Sequence, residues 1–201
     1  MTVFGVALAV SFVLGSFILW RKLKSEYDGE QLLTLWLWLV VVAWLGSGLW
    51  VWWSWQWRQI WGAVALPMLV LLWWSHKYHW HFWELVDSFG PVSLGVCILA
   101  ASGWGPRGWL VALTATIGVI LSVIVGRLYR RWQWYKSGRM GVVGIGSLAW
   151  WAVVNLVIAN FHQWAVYSLA WVIAMAVVAI YLRSGRQLNW VWLSLKKQPK
   201  Q

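Results

Sequence analysis

The segment from Gly141 to Phe161 constrains this chain most, because it contains no charged residue over its whole length. About 20 consecutive apolar residues form a helix long enough to cross the roughly 30 Å hydrocarbon layer of a bilayer. The only strongly polar side chains in the segment are Asn155 and Asn160. Five positions along a helix turn them about 140° away from each other. The segment therefore predicts a transmembrane helix with two separate amide groups.

The composition extends this interpretation to the whole chain. Of its 201 residues 62% are hydrophobic and 10% are charged, whereas a soluble domain carries about 25% charged residues. The net charge of +11 does not indicate nucleic-acid binding, because the basic residues lie in short loops between apolar segments. The only cysteine, Cys97, lies within an apolar segment and is expected to be a small buried residue. We predict an all-α polytopic membrane protein.

Seven apolar segments are predicted to span the membrane within one domain, residues 1–188, and an interfacial basic tail follows at 189–201. No cleavable signal peptide is expected, because the first segment has basic residues after it rather than before it. The predicted spans are Thr2–Trp20, Leu32–Trp53, Gln59–Trp74, Phe82–Trp104, Trp109–Val125, Gly141–Phe161 and Trp164–Leu182.

The distribution of lysine and arginine predicts the orientation of these spans. With seven spans, 14 of the 16 basic residues fall on one side of the membrane, and only Arg58 and Arg107 fall on the other. Cytoplasmic loops carry the excess of basic residues. The N-terminus is therefore expected outside and the C-terminus inside.

Tryptophan, glycine and proline indicate how the spans are placed and packed. Many of the 24 tryptophans lie at predicted span ends, where an indole is stable at headgroup depth. Gly141, Gly144 and Gly146 are expected to allow close helix packing. Pro91 is expected to kink the fourth span and to leave a backbone carbonyl that needs another partner.

Two carboxylates stand out because they lie in one apolar span. Glu84 and Asp87 are three residues apart, so they share a helical face near the inner end of the fourth span. Lys77 and Arg139 are the expected ion-pair partners, which favours a structural role. His76, His79 and His81 precede them, but the irregular spacing favours an interfacial loop over a metal site. We expect no catalytic residue, metal or cofactor.

The order of several segments resembles the bacterial prolipoprotein diacylglyceryl transferase family. The resemblance starts with FGVALAVSFVLGSFILWRKLKSEYDGEQLLTLWLWLVVVAWLGSGLWVWW and continues with HFWELVDSFGPVSLGV, in which Asp87 and Pro91 fill the family's positions. It ends with MGVVGIGSLAWWAVVNLVIANFHQ and YSLAWVIAMAVVAIYLRSGRQ. The resemblance implies a seven-span protein of the bacterial inner membrane. It also implies transfer of diacylglyceryl from phosphatidylglycerol to a lipoprotein cysteine.

The charged motifs of that family are replaced in this chain. Its Gly-Arg-x-Gly-Asn-Phe run falls on AASGWG, where only Gly103 matches. The remaining motif positions fall on Gly48, Trp61-Gly62-Ala63, Trp151, Asn155, Ala159 and His162. The transfer needs cations for a phosphate and a base for a thiol. Asn155 cannot supply charge, and Trp61 cannot act as a base.

The expected function is therefore a catalytically silent or much weakened homologue that keeps a lipid-binding cavity. Its phosphatidylglycerol-binding candidates are Asn155, Asn160, His162, Gln163, Arg58 and Arg107. An alternative is a scaffold or partner subunit that packs against another membrane protein through its Trp- and Gly-rich helix faces. A small transporter is favoured least, because no charged residue is predicted at mid-membrane depth.

Overall fold

The computed structural model describes residues 3–49, 59–101, 108–131 and 139–184. These residues form seven α-helices and one short 3₁₀ turn, Tyr129–Arg131, and contain no strand. The helices are α1 Val3–Leu23, α2 Gly29–Leu49, α3 Gln59–Tyr78, α4 Phe82–Ala101, α5 Gly108–Leu128, α6 Val142–Ile158 and α7 Gln163–Arg183. The all-α prediction is confirmed for this part of the chain, and each predicted span coincides with one helix.

Four of these helices are long and apolar enough to cross a membrane: α2, α4, α5 and α7. Helix α6 is also apolar but has 17 residues. Its predicted span was longer because residues 159–161 form a turn rather than continuing the helix. The predicted basic tail at 189–201 lies outside the described residues, as do Arg58, Gly103 and Arg107.

The start of α2 shows how the polar loop after α1 ends in a helix. The Asp28 side chain accepts a hydrogen bond from the backbone N–H of Glu30, 3.2 Å away. An aspartate at this position satisfies one of the N–H groups that have no partner within the helix. Asp28 therefore helps to begin α2.

Helix α4 lies at the centre of the packing. It packs against α1, α5 and α6, while α2 packs most extensively against α3. One hydrophobic cluster joins α4 to the first three helices through residues such as Leu85 and Phe89. A second joins it to α5 and α6 through Leu94 and Cys97. Cys97 is buried, as its place in an apolar segment predicts.

Pro91 lies inside α4, and the helix continues through it. The carbonyl that the proline was expected to leave free has a partner. Proline has no N–H to donate to the carbonyl four residues earlier, which is that of Asp87. The ammonium group of Lys22, from the end of α1, donates to this Asp87 oxygen over 3.4 Å. The proline thus creates a contact between α1 and α4.

Candidate functional site

The side chain of Asp87 connects α4 to the beginning of α6. One carboxylate oxygen accepts the backbone N–H of Gly141 and the other accepts that of Gly144, both at 2.6 Å. Gly141 is the N-cap residue of α6 and makes no side-chain cap hydrogen bond. The N–H groups and the partial positive charge of a helix N-terminus favour an anion there. Asp87 therefore acts as the cap of a helix that is distant in sequence.

Two glycines allow this close contact. Gly141 has a φ of +115°, in the region that residues with a β-carbon rarely adopt. At Gly144, an added β-carbon would lie 2.7 Å from the carbonyl carbon of Val86. The expected close packing is confirmed at Gly144 but not at Gly146, where a β-carbon would meet nothing within 4 Å. We refer to Asp87, Gly141 and Gly144 as the α4–α6 junction.

Helix α7 reaches this junction through its last residue. Arg183 donates a hydrogen bond to the carbonyl of Met140, and its guanidinium lies 4.1 Å from the ring centroid of Trp83 on α4. A guanidinium over an indole face is a favourable cation–π contact. The ends of α4, α6 and α7 therefore meet in one polar region.

The loop between α1 and α2 meets the same end of α4. The Tyr27 hydroxyl donates to a Glu84 carboxylate oxygen over 2.6 Å. Burial and this hydrogen bond raise the pKa of Tyr27 above its ordinary value. A hydrogen bond with Glu84, together with its negative charge, also raises the pKa of the exposed Glu26. Glu84 thus connects α4 to this loop through Tyr27.

The structure describes contacts other than ion pairs for three of the four predicted ion-pair residues. Glu84 contacts Tyr27 and Asp87 contacts backbone amides. The Lys77 ammonium lies 5.0 Å from the ring centroid of Trp73, and Arg139 is exposed. Sequence reasoning placed both carboxylates correctly at one helix end but missed the amide partners of Asp87. The glycines of MGVVG were the available signal, since they mark a helix start without a side-chain cap.

The residues predicted to bind lipid at the outer end occupy different environments. Asn155 is completely buried in α6, whereas Asn160, His162 and Gln163 are exposed in the turn that leads into α7. Asn160 has a φ of +52°, which fits an asparagine in a tight turn. Asn155 therefore has a different environment from the three exposed residues. Lipid binding by all six candidate residues remains a prediction.

Away from the α4–α6 junction, the polar contacts described between α4, α5 and α6 are made by neutral groups. The hydroxyls of Ser122 and Ser147 lie 3.0 Å apart. The indole N–H of Trp151 donates to the Ser93 hydroxyl over 2.9 Å, and that of Trp150 donates to the Thr114 carbonyl over 2.8 Å. Such groups satisfy each other inside an apolar environment. They provide neither a cation for a phosphate nor a base for a thiol.

The resemblance can be followed at the positions that the structure describes. Trp151 donates its N–H to Ser93, Asn155 is buried, and His162 is exposed. The side chains of Gly48 and Trp61 lie outside the described part of the structure. Within that part, no three His, Cys, Asp or Glu residues are grouped as metal ligands would be.

An all-helical fold with four helices able to cross a membrane places this chain among helical membrane proteins. No protein-family model, no curated protein and no solved structure matches the chain.

Proposed function

We propose that this chain is a seven-span protein of the bacterial inner membrane, of the diacylglyceryl transferase type, which binds phospholipid but does not transfer diacylglyceryl. The observation that carries the proposal is that the described polar contacts between α4, α5 and α6, apart from the α4–α6 junction, are made by neutral groups. Trp151 and Asn155 occupy positions where the resemblance implies ionisable groups, and Trp151 is used in a contact with Ser93. Removing preorganised charge from a reaction of this type costs several kcal/mol of barrier for each group.

The arrangement around α4 supports the same proposal. The family position filled by Asp87 is retained here, and its carboxylate holds the start of α6. Pro91, which fills the second position, directs the Asp87 carbonyl to Lys22. Residues that hold helices together are thus kept while residues needed for chemistry are replaced, as expected for a homologue that has lost its reaction.

A complementation experiment tests the proposal. The chain is expressed in cells depleted of their prolipoprotein diacylglyceryl transferase, and lipoprotein modification is followed by a mobility shift. We expect no modification, although the protein is present in the membrane fraction. An active transferase expressed from the same vector is the control. Restored modification by this chain would refute the silent assignment.

The seven-span topology needs a separate experiment. Cys97 is the only cysteine and is buried, so a Cys97→Ser background permits single-cysteine labelling. We expect Gln163→Cys to react with an impermeant maleimide in intact cells, and Lys77→Cys to react only after permeabilisation. The opposite pattern would show that the orientation is the reverse of the predicted one. Labelling of both variants in intact cells would contradict the span count.

A partner subunit is the second candidate, and the exposed face of α7 favours it. Only 6% of this span is buried within the protein, and Trp171 is 72% exposed. Large aromatic residues are enriched at protein interfaces. Purification in mild detergent would support this candidate if a membrane protein co-elutes in fixed proportion. A monomer that carries only lipid would contradict it.

A further inference from the structure

A groove on the membrane-facing side of α1 and α2 lies outside the candidate site described above. It has a volume of about 270 Å³ and is lined by Val13, Ser16, Phe17 and Trp20 of α1 and by Leu33 of α2. The four α1 residues follow the i, i+3, i+4, i+7 spacing of one helical face. Val13 and Trp20 are separated by about 10 Å along the helix axis. The groove therefore extends over much of the roughly 15 Å of hydrocarbon in one leaflet.

The lining of the groove suits a hydrocarbon chain. Phe17 and Val13 are 55% and 64% exposed, and the Ser16 hydroxyl is used within α1, where it donates to the Phe12 carbonyl. The groove thus presents apolar surface with its single hydroxyl already satisfied. The groove is largely open rather than enclosed, so it suits part of a long chain lying along the helix rather than a compact molecule that needs a closed pocket.

One end of the groove carries a positive charge. The Lys24 ammonium lies 4.4 Å from the ring centroid of Trp20, which itself lines the groove. Arg21 adjoins Trp20 in the last turn of α1. Two acidic side chains of the following loop have contacts elsewhere, because Asp28 accepts the N–H of Glu30 and Glu26 shares a hydrogen bond with Glu84. A cation next to an interfacial indole at the end of an apolar groove complements a phosphate joined to an acyl chain.

We infer that this groove binds one anionic glycerophospholipid of the inner leaflet, with an acyl chain against Phe17 and Ser16 and the phosphate at Lys24. The inference rests on the proposed membrane insertion of α1 and α2. It adds a lipid site at the inner end of the molecule, separate from the outer residues predicted from sequence. Lys22, in the last turn of α1, is used differently, since its ammonium contacts the Asp87 carbonyl.

Two substitutions test the two ends of the site. Ser16→Leu fills the groove, and its matched control is Thr34→Leu, because Thr34 is exposed and also donates its hydroxyl to the carbonyl four residues earlier. Lys24→Gln removes the charge, and its matched control is Lys77→Gln, whose ammonium likewise lies over a tryptophan. Full-length variants are reconstituted in phosphatidylglycerol or phosphatidylcholine vesicles and re-extracted in mild detergent. Retained lipid is then counted by native mass spectrometry.

We expect the unsubstituted chain to retain one phosphatidylglycerol in this groove, in addition to any held at the outer residues, and to retain phosphatidylcholine in the groove much less. Lys24→Gln should weaken retention in the groove about fivefold, the effect of one lysine near an anionic surface. Ser16→Leu should lower the number of retained phosphatidylglycerols by one, and both controls should retain the same number as the unsubstituted chain. Equal retention by all variants, or equal retention of both lipids, would overturn the inference. Extraction of the protein from membranes by alkaline carbonate would instead refute membrane insertion, so the two failures are distinguishable.

Discussion

Helices α4 and α7 have similar lengths, but they contact the rest of the protein very differently. The mean hydropathy of α7 is 2.2 and that of α4 is 1.5, yet 44% of α4 is buried within the protein and only 6% of α7. The less apolar helix is therefore the central one. Hydropathy measures how well a helix tolerates lipid, whereas packing between helices depends on small and hydrogen-bonding residues. The following predictions test this contrast, from the largest expected effect to the smallest.

The largest effect is expected from Gly144→Ala at the α4–α6 junction. The added methyl group would lie 2.7 Å from the Val86 carbonyl carbon, so one helix must move away from the other. Overpacking of this type costs about 3 kcal/mol. Gly146→Ala is the matched control, because nothing lies within 4 Å of that position, and it should stabilise α6 by about 0.5 kcal/mol. Unfolding in mixed detergent micelles measures the free energy of unfolding of both variants. Equal changes in the two variants would contradict the close packing at Gly144.

The second effect concerns Asp87, whose removal leaves two helix N–H groups without their partner. We expect Asp87→Ala to lower the free energy of unfolding by about 2 kcal/mol. Asp87→Asn should lie between, because one amide oxygen can still accept a hydrogen bond. Asp28→Ala removes a similar carboxylate from the exposed start of α2 and should cost about 1 kcal/mol. An Asp87→Ala variant no less stable than Asp28→Ala would show that the junction contributes little.

The positions of the helices could be predicted from the sequence because each helix consists of one apolar segment between polar residues. The structure places α1, α5 and α7 within a few residues of the predicted ends. The predicted end of α6 lies beyond the observed one, whereas those of α1 and α5 lie before it. Asn160 and Phe161 adopt positive φ and do not continue α6. An apolar segment of the sequence does not indicate this change of backbone conformation.

The partners of the polar residues were harder to predict, because they come from distant parts of the chain. Asp87 was expected to form an ion pair, which stays a prediction, and the structure also gives it two backbone amides as partners. Only the nearby glycines mark these amides in the sequence. The freed carbonyl before Pro91 was expected from covalent geometry alone, and only the structure identifies Lys22 as its partner. Local chemistry thus predicts that a partner is needed, while the fold decides which residue supplies it.

A smaller effect is expected at Tyr27, where the loop after α1 contacts α4. Tyr27→Phe removes the hydrogen bond to Glu84 and should cost about 1 kcal/mol. The raised pKa of Tyr27 means that this contact stabilises the protein fully below the unfolded tyrosine pKa of about 10 and is lost as the pH rises through the folded value. A plot of stability against pH should therefore fall more steeply in the unsubstituted chain than in Tyr27→Phe under strongly alkaline conditions. Parallel curves would mean that the hydroxyl is not held by Glu84.

The smallest effect is expected on α7, at Trp171, which is 72% exposed. Trp171→Ala removes a side chain that has few contacts within the protein, so it should change the free energy of unfolding by no more than about 0.5 kcal/mol. Trp151→Ala is the matched control, because its indole donates to Ser93 on α4, and it should cost about 3 kcal/mol. If Trp171→Ala were as costly in the purified chain, α7 would have to pack against a surface within the protein or against a second copy. Trp171→Ala could instead leave the free energy of unfolding unchanged and release a co-purifying membrane protein. The two helices would then differ in function, because α4 would stabilise the fold of this chain and α7 would bind a partner.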